Sequence, residues 1–432
     1  MSTALIDYCR TEIEALKEAR TFKQERVLEG PTGARVRVDG REVLMLTSNN
    51  YLGFANHPRI VEAARKALER WGNGLGSVRF ICGTQELHKE LERTISAFFG
   101  TEDTILYMSC WNANEGLFQP LLGEEDAILT DGLNHASIID GIRLCKAKRY
   151  VLPHGDLAAS EKALVDSQAQ RRRLYMTDGV FSMEGEVGPI PELVELCAKH
   201  DTLLVVDDSH ATGVLGATGR GSAEETGVHG KVAVFTSTLG KAMGSAAGGF
   251  TTGPAPLVEL LRQRSRTTLF SNALPPAVTA SSLEAFRMLM EDPSPVVRLR
   301  ANAAHFRTRM TDAGFNIPKG VHPIVPVIVG DTAKALAMSA ALFDRGVYVS
   351  GFGYPVVPQG HARLRCQISA THSTAKTSGS QRAAAGVPSP PRKRAAVTPR
   401  RRQRHQPLFM RPLICTLARS SRRSSLPSRI HR

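Results

Sequence analysis

The sequence lacks the features of membrane, disulfide-rich and zinc-binding proteins. Among its 432 residues no apolar run approaches the roughly 18 residues of a membrane-spanning helix, which argues against a membrane protein. Its seven cysteines are scattered, without a CxxC pair or a cluster with histidine, so neither a disulfide framework nor a metal site is indicated. The start, MSTALIDYCR, has no basic segment followed by an apolar one, so we expect a cytoplasmic chain with reduced cysteines.

Acidic residues are missing from the C-terminal part of the chain. Residues 374–432 contain 15 Lys and Arg and no Asp or Glu, which leaves 40 basic and 41 acidic residues in 1–373. The net charge of +14 therefore belongs to this tail. The tail is rich in Pro, Ser and Ala and has no apolar periodicity, so we expect it to be disordered.

The basic tail has two interpretations. Its Arg and Lys runs would attract nucleic acid or anionic surfaces. The abrupt loss of acidic residues is also what a frame-shifted 3′ end would produce, and we favour this interpretation. Nucleic-acid binding is therefore the less favoured function, because basic tails without interleaved aromatic residues carry no specificity signal.

The remaining chain divides into three parts by its apolar patterns. Residues 1–45 contain helical spacing followed by a period-two alternation, which predicts an N-terminal helix and hairpin. Over 46–285 helical stretches alternate with short apolar runs, which predicts an α/β fold with a large, mostly parallel sheet in a cofactor-binding domain. Residues 286–373 predict a smaller α+β domain. The apolar runs lie at 104–108, 126–130, 148–152, 172–178, 202–208 and 231–238.

Two of these runs end in residues that carry chemistry. The run LLVV is followed by Asp207, Asp208 and His210, and the run VAVF leads to Lys241, which a glycine-rich turn follows. In open α/β sheets the carboxyl ends of the strands form the ligand crevice. A lysine at such an address, rather than on a polar helix face, is a candidate for covalent attachment.

These residues together suit pyridoxal 5′-phosphate, which needs a lysine for an imine, a carboxylate at its ring nitrogen and donors for its phosphate. Asp207 is the candidate carboxylate, and Thr238 and the helix start after Ser109 are candidate phosphate donors. His210 could bond the ring hydroxyl and His135 could stack on the ring. Taken singly, each has an ordinary alternative as a helix cap, a turn residue or a surface charge.

The motifs resemble those of the α-oxoamine synthases, which are fold-type I pyridoxal-phosphate enzymes. The resemblance covers about residues 5–373. It rests on NNYLG at 49–53, SVRFICGTQELHKELE at 77–92, NHASIIDGIRLCKAKRY at 134–150, TDGVFSMEG at 177–185, VVDDSHATG at 205–213 and TLGKAMG at 238–244. It implies an enzyme that condenses an amino acid with an acyl-CoA.

The resemblance also implies a role for each matched residue. Lys241 would form the imine, Asp207 would hold the ring nitrogen, His210 and Ser182 would lie near the ring hydroxyl, and His135 would stack on the ring and touch substrate. Backbone groups of Cys110 and Trp111, with Thr238, would hold the phosphate, and Ser271 and Asn272 would reach the cofactor of the other subunit of a homodimer. Asn49 and Arg365 would bind the substrate carboxylate, with Arg363 as the alternative to Arg365.

Two segments, RFICGTQ and NHASIIDG, are most similar to the family members that join glycine to acetyl-CoA. Those members interconvert glycine and acetyl-CoA with 2-amino-3-oxobutanoate and CoA, in threonine breakdown. The alternatives within the family are synthases of 8-amino-7-oxononanoate or 5-aminolevulinate. Family members continue after the matched region with a helix that packs on the small domain, and here the basic tail stands in its place.

Overall fold

The computed structural model describes residues 3–19 and 21–373. Its helices are α1 (Thr3–Glu18), α2 (Pro58–Trp71), α3 (Glu86–Phe99), α4 (Cys110–Leu121), α5 (Ala136–Leu144), α6 (Leu157–Asp166), α7 (Ile190–Lys199), α8 (Ser222–Glu225), α9 (Ala255–Arg264), α10 (Arg266–Leu269), α11 (Pro276–Glu291), α12 (Ser294–Asp312) and α13 (Thr332–Phe343). Within these ranges no helix is long and apolar enough to cross a membrane. The tail, expected to be disordered, lies outside the described residues.

The strands follow the same chain order. They are β1 (Arg35–Val38), β2 (Arg41–Met45), β3 (Asp103–Tyr107), β4 (Ala127–Asp131), β5 (Lys148–Leu152), β6 (Arg173–Asp178), β7 (Val180–Phe181), β8 (Glu186–Val187), β9 (Leu203–Asp207), β10 (Val234–Thr238), β11 (Gly249–Gly253), β12 (Ile324–Gly330), β13 (Val347–Tyr348), β14 (Ser350–Phe352) and β15 (Ala362–Gln367). The six apolar runs found in the sequence correspond to β3, β4, β5, β6, β9 and β10.

Seven strands form the large sheet, in the order β3-β11-β10-β9-β6-β4-β5. Neighbours from β10 to β5 run parallel, and β11 runs antiparallel to β10 and β3. Side chains on both faces are buried, as Val205 and Val206 in β9 show, because helices cover each face. The predicted mostly parallel sheet is confirmed. The sequence analysis missed β11, whose glycine at each end weakens the strand pattern.

Two three-stranded sheets and the antiparallel pair β7–β8 contain the remaining strands. β12, β15 and β14 form an antiparallel sheet, and the β1–β2 hairpin is extended by β13, which pairs in parallel with β2. The hairpin expected in the N-terminal segment is therefore present and joined to a late strand. The domain boundaries stay predictions. Helix α1 has no buried residue, although it carries apolar side chains at helical spacing.

Candidate active site

A cavity of about 190 Å³ lies where β6, β9 and β10 end and where α4 begins. This is the edge of a parallel sheet at which ligands bind. Eight of the residues named from the sequence line it: Cys110, Trp111, His135, Ser182, Asp207, His210, Thr238 and Lys241. The others lining it are Ser109, Ser137, Asp178, Val180 and Ser209.

Lys241 follows the end of β10 and lines the cavity. Among the described residues its side-chain nitrogen has no hydrogen-bond acceptor and no carboxylate within ion-pair distance. Burial lowers the pKa of Lys241, and the negative charge of Asp207 offsets this only in part. A lysine amine that loses its proton more easily is a better nucleophile and base.

Asp207 and Asp208 are neighbours in sequence but belong to different surroundings. Asp207 is the last residue of β9 and lines the cavity. Asp208 is fully buried on the other side, where its carboxylate accepts bonds from the backbone and hydroxyl of Ser222 at 3.0 and 2.5 Å. Because successive side chains of a strand point to opposite faces, only the first carboxylate faces a ligand.

Asp207 is held by protein donors on both oxygens. The backbone N–H of Ser209 donates to its Oδ1 at 2.8 Å, and Asn114 Nδ2 donates to its Oδ2 at 2.7 Å. The Sγ of Cys110 lies 3.6 Å from the same Oδ2. Burial and the charge of Asp207 raise the pKa of Cys110 well above its usual range, so this thiol stays protonated. The carboxylate is thus fixed before any ligand arrives.

The first turn of α4 forms the opposite end of the cavity. Ser109 caps this helix by accepting the N–H of Asn112 at 3.2 Å, while Cys110 and Trp111 supply first-turn amides that no intrahelical carbonyl can accept. Gly249 packs directly against this turn: a Cβ there would lie 2.3 Å from the nitrogen of Cys110. Only glycine fits at this contact, and the first-turn amides beside it would suit an anion; Thr238 lines the same cavity.

His135 and Asp178 stand at one wall of the cavity. The His135 ring lies edge-on to the Trp111 ring, with centroids 6.1 Å apart, and its backbone N–H donates to Asp178 Oδ2 at 2.9 Å. Burial lowers the pKa of His135, and the positive charge of Lys241 lowers it further. Burial and Asp207 raise the pKa of Asp178 well above its usual range. The sequence analysis had not named Asp178.

His210 is held from behind by a buried tyrosine. Tyr51 Oη lies 2.9 Å from His210 Nδ1, and burial raises the pKa of Tyr51, so its hydroxyl stays protonated. Burial and the charge of Lys241 lower the pKa of His210 well below its usual range. The ring is therefore neutral, with one nitrogen at Tyr51 and the other able to bond a ligand.

Arg363 and Arg365 lie on the same strand, β15, and are bonded differently. Arg363 donates to Glu184 Oε1 at 3.0 Å and is therefore already paired. Arg365 donates through Nε to the backbone oxygen of Ser182 at 2.6 Å, and it forms no ion pair within the described part of the chain. Its guanidinium keeps donors for an incoming carboxylate, so the structure favours Arg365 over Arg363.

Four residues to which the resemblance gave a role do not line the cavity: Asn49, Ser271, Asn272 and Arg365, of which Arg365 bonds to the cavity residue Ser182. Asn49 lies behind it, where its Oδ1 is 3.3 Å from Tyr51 Oη. Ser271 is half-buried and Asn272 is exposed, next to Phe270, whose side chain is 71% exposed. A single chain therefore does not bring Ser271 and Asn272 to its own cavity.

The residues at the cavity fit pyridoxal phosphate. They provide a lysine amine without a protein partner, a fixed carboxylate and a glycine-packed helix start that would accept a phosphate. Cavity-lining serines and histidines supply further donors. Among the described residues no cluster of His, Cys, Asp and Glu that could hold a metal ion is found.

Comparison with known proteins gives the same assignment. A family model described as aminotransferase class I and II matches residues 41–378. The human protein "2-amino-3-ketobutyrate coenzyme A ligase, mitochondrial" is 51% identical over 364 residues, covering 84% of this chain and 87% of its own. An 8-amino-7-oxononanoate synthase of Thermosipho melanesiensis is 46% identical over 362 residues, with 84% and 92% covered.

A solved structure shares the architecture. Serine palmitoyltransferase from S. paucimobilis, with bound pyridoxal phosphate and myriocin, matches with a TM-score of 0.81 at 29% identity, covering 86% of this chain and 94% of that one. These similarities confirm the fold class and the family expected from the motifs. The chain belongs to the class I and II aminotransferase family of fold-type I enzymes and, within it, to the α-oxoamine synthases.

Proposed function

We propose that this protein is a pyridoxal-phosphate-dependent glycine C-acetyltransferase, which interconverts glycine and acetyl-CoA with 2-amino-3-oxobutanoate and CoA. The observation that carries the proposal is that one cavity is lined by both Lys241 and Asp207, which lie at the ends of the neighbouring strands β10 and β9. Among the described residues Lys241 has no hydrogen-bond partner for its amine, whereas Asp207 is held by donors on both oxygens. The chain that builds it is 51% identical to a human 2-amino-3-ketobutyrate coenzyme A ligase.

Each wall of the cavity would hold one part of the cofactor. Lys241 would attach it, Asp207 would pair with its ring nitrogen, and His210 with Ser182 would bond its ring hydroxyl. His135 would lie over the ring, and Thr238 with the first turn of α4 would hold the phosphate. Bound there, pyridoxal phosphate supplies an electron sink for the charge that develops at the substrate α-carbon.

Arg365 and Asn49 would orient glycine. The guanidinium of Arg365 presents paired N–H donors that match a carboxylate, and its Nε bond to the Ser182 carbonyl fixes the plane of the group. Asn49, bonded to Tyr51, would add an amide donor. Binding the carboxylate at one place turns the α-carbon and its proton toward Lys241.

Lys241 would then act as the base. Once the amine of glycine has replaced it, the freed lysine amine takes the α-proton, and its lowered pKa suits that exchange near neutral pH. The α-carbon forms a bond with the thioester carbonyl of acetyl-CoA while the carbon–sulfur bond breaks and the CoA thiolate leaves. His135 is placed to donate to the carbonyl oxygen as charge develops there.

The cavity is proposed to be completed by a second copy of the chain. Exposed Asn272 and Ser271 would reach the phosphate end of the partner's site, and the apolar residues of α1 would become buried in the same assembly. The predicted homodimer and the predicted cytoplasmic location are parts of this proposal.

The second candidate is synthesis of 8-amino-7-oxononanoate, because a relative of that name is 46% identical. A nine-carbon product requires an acyl donor much longer than acetyl-CoA. The two functions therefore differ in the length of acyl chain that the enzyme accepts.

Measuring CoA release with glycine and acyl-CoA thioesters of increasing chain length tests the proposal. We expect the largest kcat/KM with acetyl-CoA, and only when glycine and pyridoxal phosphate are present. Preference for a long-chain thioester would favour the second candidate. Turnover of amino acids without any CoA requirement would instead indicate an aminotransferase or lyase of the same fold.

A further inference from the structure

Asn114 is a fully buried amide that none of the sequence motifs singled out. It lies on α4, one turn after Cys110, and faces the carboxyl ends of β9 and β10. Its Nδ2 donates to Asp207 Oδ2 at 2.7 Å and to Ser137 Oγ at 2.9 Å, and its Oδ1 accepts from Thr236 Oγ1 at 2.8 Å. The amide therefore connects a helix to two neighbouring strands.

The orientation of this amide is fixed by chemistry. An ionised carboxylate only accepts hydrogen bonds, so the NH₂ group of Asn114 must face Asp207. The carbonyl oxygen then faces Thr236, whose hydroxyl must donate. Thr236 and Asp207 are direct partners in the β10–β9 register, so the three side chains form one continuous chain of bonds.

This chain of bonds holds the carboxylate that faces the cofactor. A buried charge is retained only where donors compensate for lost water, and Asn114 with the Ser209 amide provides these donors. These donors occupy one lone pair on each oxygen of Asp207, the Cys110 thiol occupies the second on Oδ2, and Oδ1 keeps one for a ligand. A carboxylate free to rotate would lose both its direction and part of its stabilisation.

We propose that Asn114 is a positioning residue that, through Asp207, sets how firmly the ring nitrogen of bound pyridoxal phosphate keeps its proton. The inference rests on the proposed function. Thr236 is a second positioning residue, because its hydroxyl orients the Asn114 amide without a side-chain bond to Asp207. An alternative is that Asn114 only satisfies buried polar groups and contributes stability alone.

The full chain loaded with pyridoxal phosphate separates these possibilities. The variants are Asn114→Ala, which removes the donor, and Thr236→Val, which removes the hydroxyl at nearly constant volume. Thr104→Val is the matched control: Thr104 is fully buried in β3, bonds to Thr252 Oγ1 at 2.8 Å and does not line the cavity. For each, the visible absorption of the bound cofactor is titrated against pH, together with kcat, KM for both substrates and the melting temperature.

We expect Asn114→Ala to move the midpoint of the absorption titration upward by about one pH unit. A ring nitrogen that is less often protonated places less positive charge near the nitrogen of Lys241, which then keeps its own proton to higher pH. We expect kcat to fall about tenfold, with KM for acetyl-CoA nearly unchanged. Thr236→Val should shift both quantities in the same direction by a smaller amount, and Thr104→Val should change only the melting temperature.

Wild-type titration midpoints and kcat in both Asn114→Ala and Thr236→Val, with lowered melting temperatures, would overturn the inference and leave a purely structural role. If Asn114→Ala does not fold, Thr236→Val decides by the same criteria. Failure of the unmodified chain to give any cofactor absorption contradicts the proposed function itself, so the two failures are distinguishable.

Discussion

The sheet edge and the proposed outer rim of the site, Ser271 and Asn272, differ in whether a single chain brings them to the cavity. At the sheet edge, Asp207 ends β9 and Lys241 comes shortly after β10, the parallel neighbour of β9. At the outer rim, Asn272 and Ser271 lie on an irregular segment that the same chain does not bring to its cavity. Under the proposed function, one chain would supply the covalent and electrostatic chemistry, and a second copy would complete the site.

The largest effect is expected at the sheet edge. Lys241→Ala removes both the attachment point and the base, so we expect activity to fall by about 10³-fold or more and the cofactor to be bound without a lysine-dependent absorption band. Lys231→Ala, an exposed lysine just before β10, is the control and should keep full activity. Near-normal activity of Lys241→Ala would mean that the sheet edge is not the reacting centre.

A smaller effect is expected at Arg365, on β15, which donates a hydrogen bond to the cavity residue Ser182. Arg365→Lys keeps the charge but loses the paired donors, so we expect KM for glycine to rise about 10- to 100-fold, with a smaller change in KM for acetyl-CoA. Arg363→Lys is the matched variant, because Arg363 is paired with Glu184. A larger KM effect for Arg363→Lys than for Arg365→Lys would reverse the assignment.

The rim is expected to respond only through the assembly. Asn272→Ala should weaken cofactor affinity several-fold, measured by equilibrium titration, and Asn316→Ala, an exposed asparagine elsewhere, should not. At a pyridoxal-phosphate concentration that loads Asn272→Ala poorly, mixing Lys241→Ala chains with Asn272→Ala chains after reversible dissociation should give more activity than either alone, because one of the two sites in a mixed dimer is then intact. Additive or lower activity would contradict a shared site.

The smallest effect on activity is expected at Asp208, which adjoins Asp207 but faces away. Burial raises the pKa of Asp208 from 3.8 to about 7, so the folded chain keeps a proton there that the unfolded chain loses between these values. Stability contributed by this group therefore falls as pH rises from 3.8 to about 7 and is level above.

Asp208→Asn cannot titrate and should lack this contribution, while its activity stays close to normal. Denaturant unfolding of both proteins at several pH values measures the difference in their free energies of unfolding. We expect wild type to lose stability relative to Asp208→Asn as pH rises toward 7, with Asp312→Asn, an exposed aspartate, as control. A difference that does not vary with pH would contradict the buried, protonated state of Asp208.

The part of the site that the sequence could predict lies at the ends of buried strands. Lys241, Asp207 and His210 each follow a short apolar run, and runs of this kind mark buried parallel strands whose ends meet. The same reasoning gave Thr238 and the start of α4 as phosphate donors, and the resemblance to a known family then supplied a role for Ser182, which lines the same cavity.

Packing across the sheet accounts for what the sequence could not predict. Asn114 is one of several polar residues in α4, and nothing in its spacing shows that it faces β9 and β10. Asp178 is the last residue of β6 and, like Asp207, is a carboxylate at the end of an apolar run. No neighbouring residue in the sequence suggested a chemical role for it, although it lines the cavity. Ser271 and Asn272 are proposed to act at the site of a second chain, and contacts of that kind do not follow from one chain.

Visible absorption of the full-length chain, recorded with pyridoxal phosphate, then glycine, then acetyl-CoA, tests the central claim most directly. We expect an absorption band of the bound cofactor that Lys241→Ala lacks. This band should change when glycine is added and change again when acetyl-CoA is added. A chain that stays colourless with added pyridoxal phosphate, or a band that is identical in Lys241→Ala and insensitive to glycine, would contradict it.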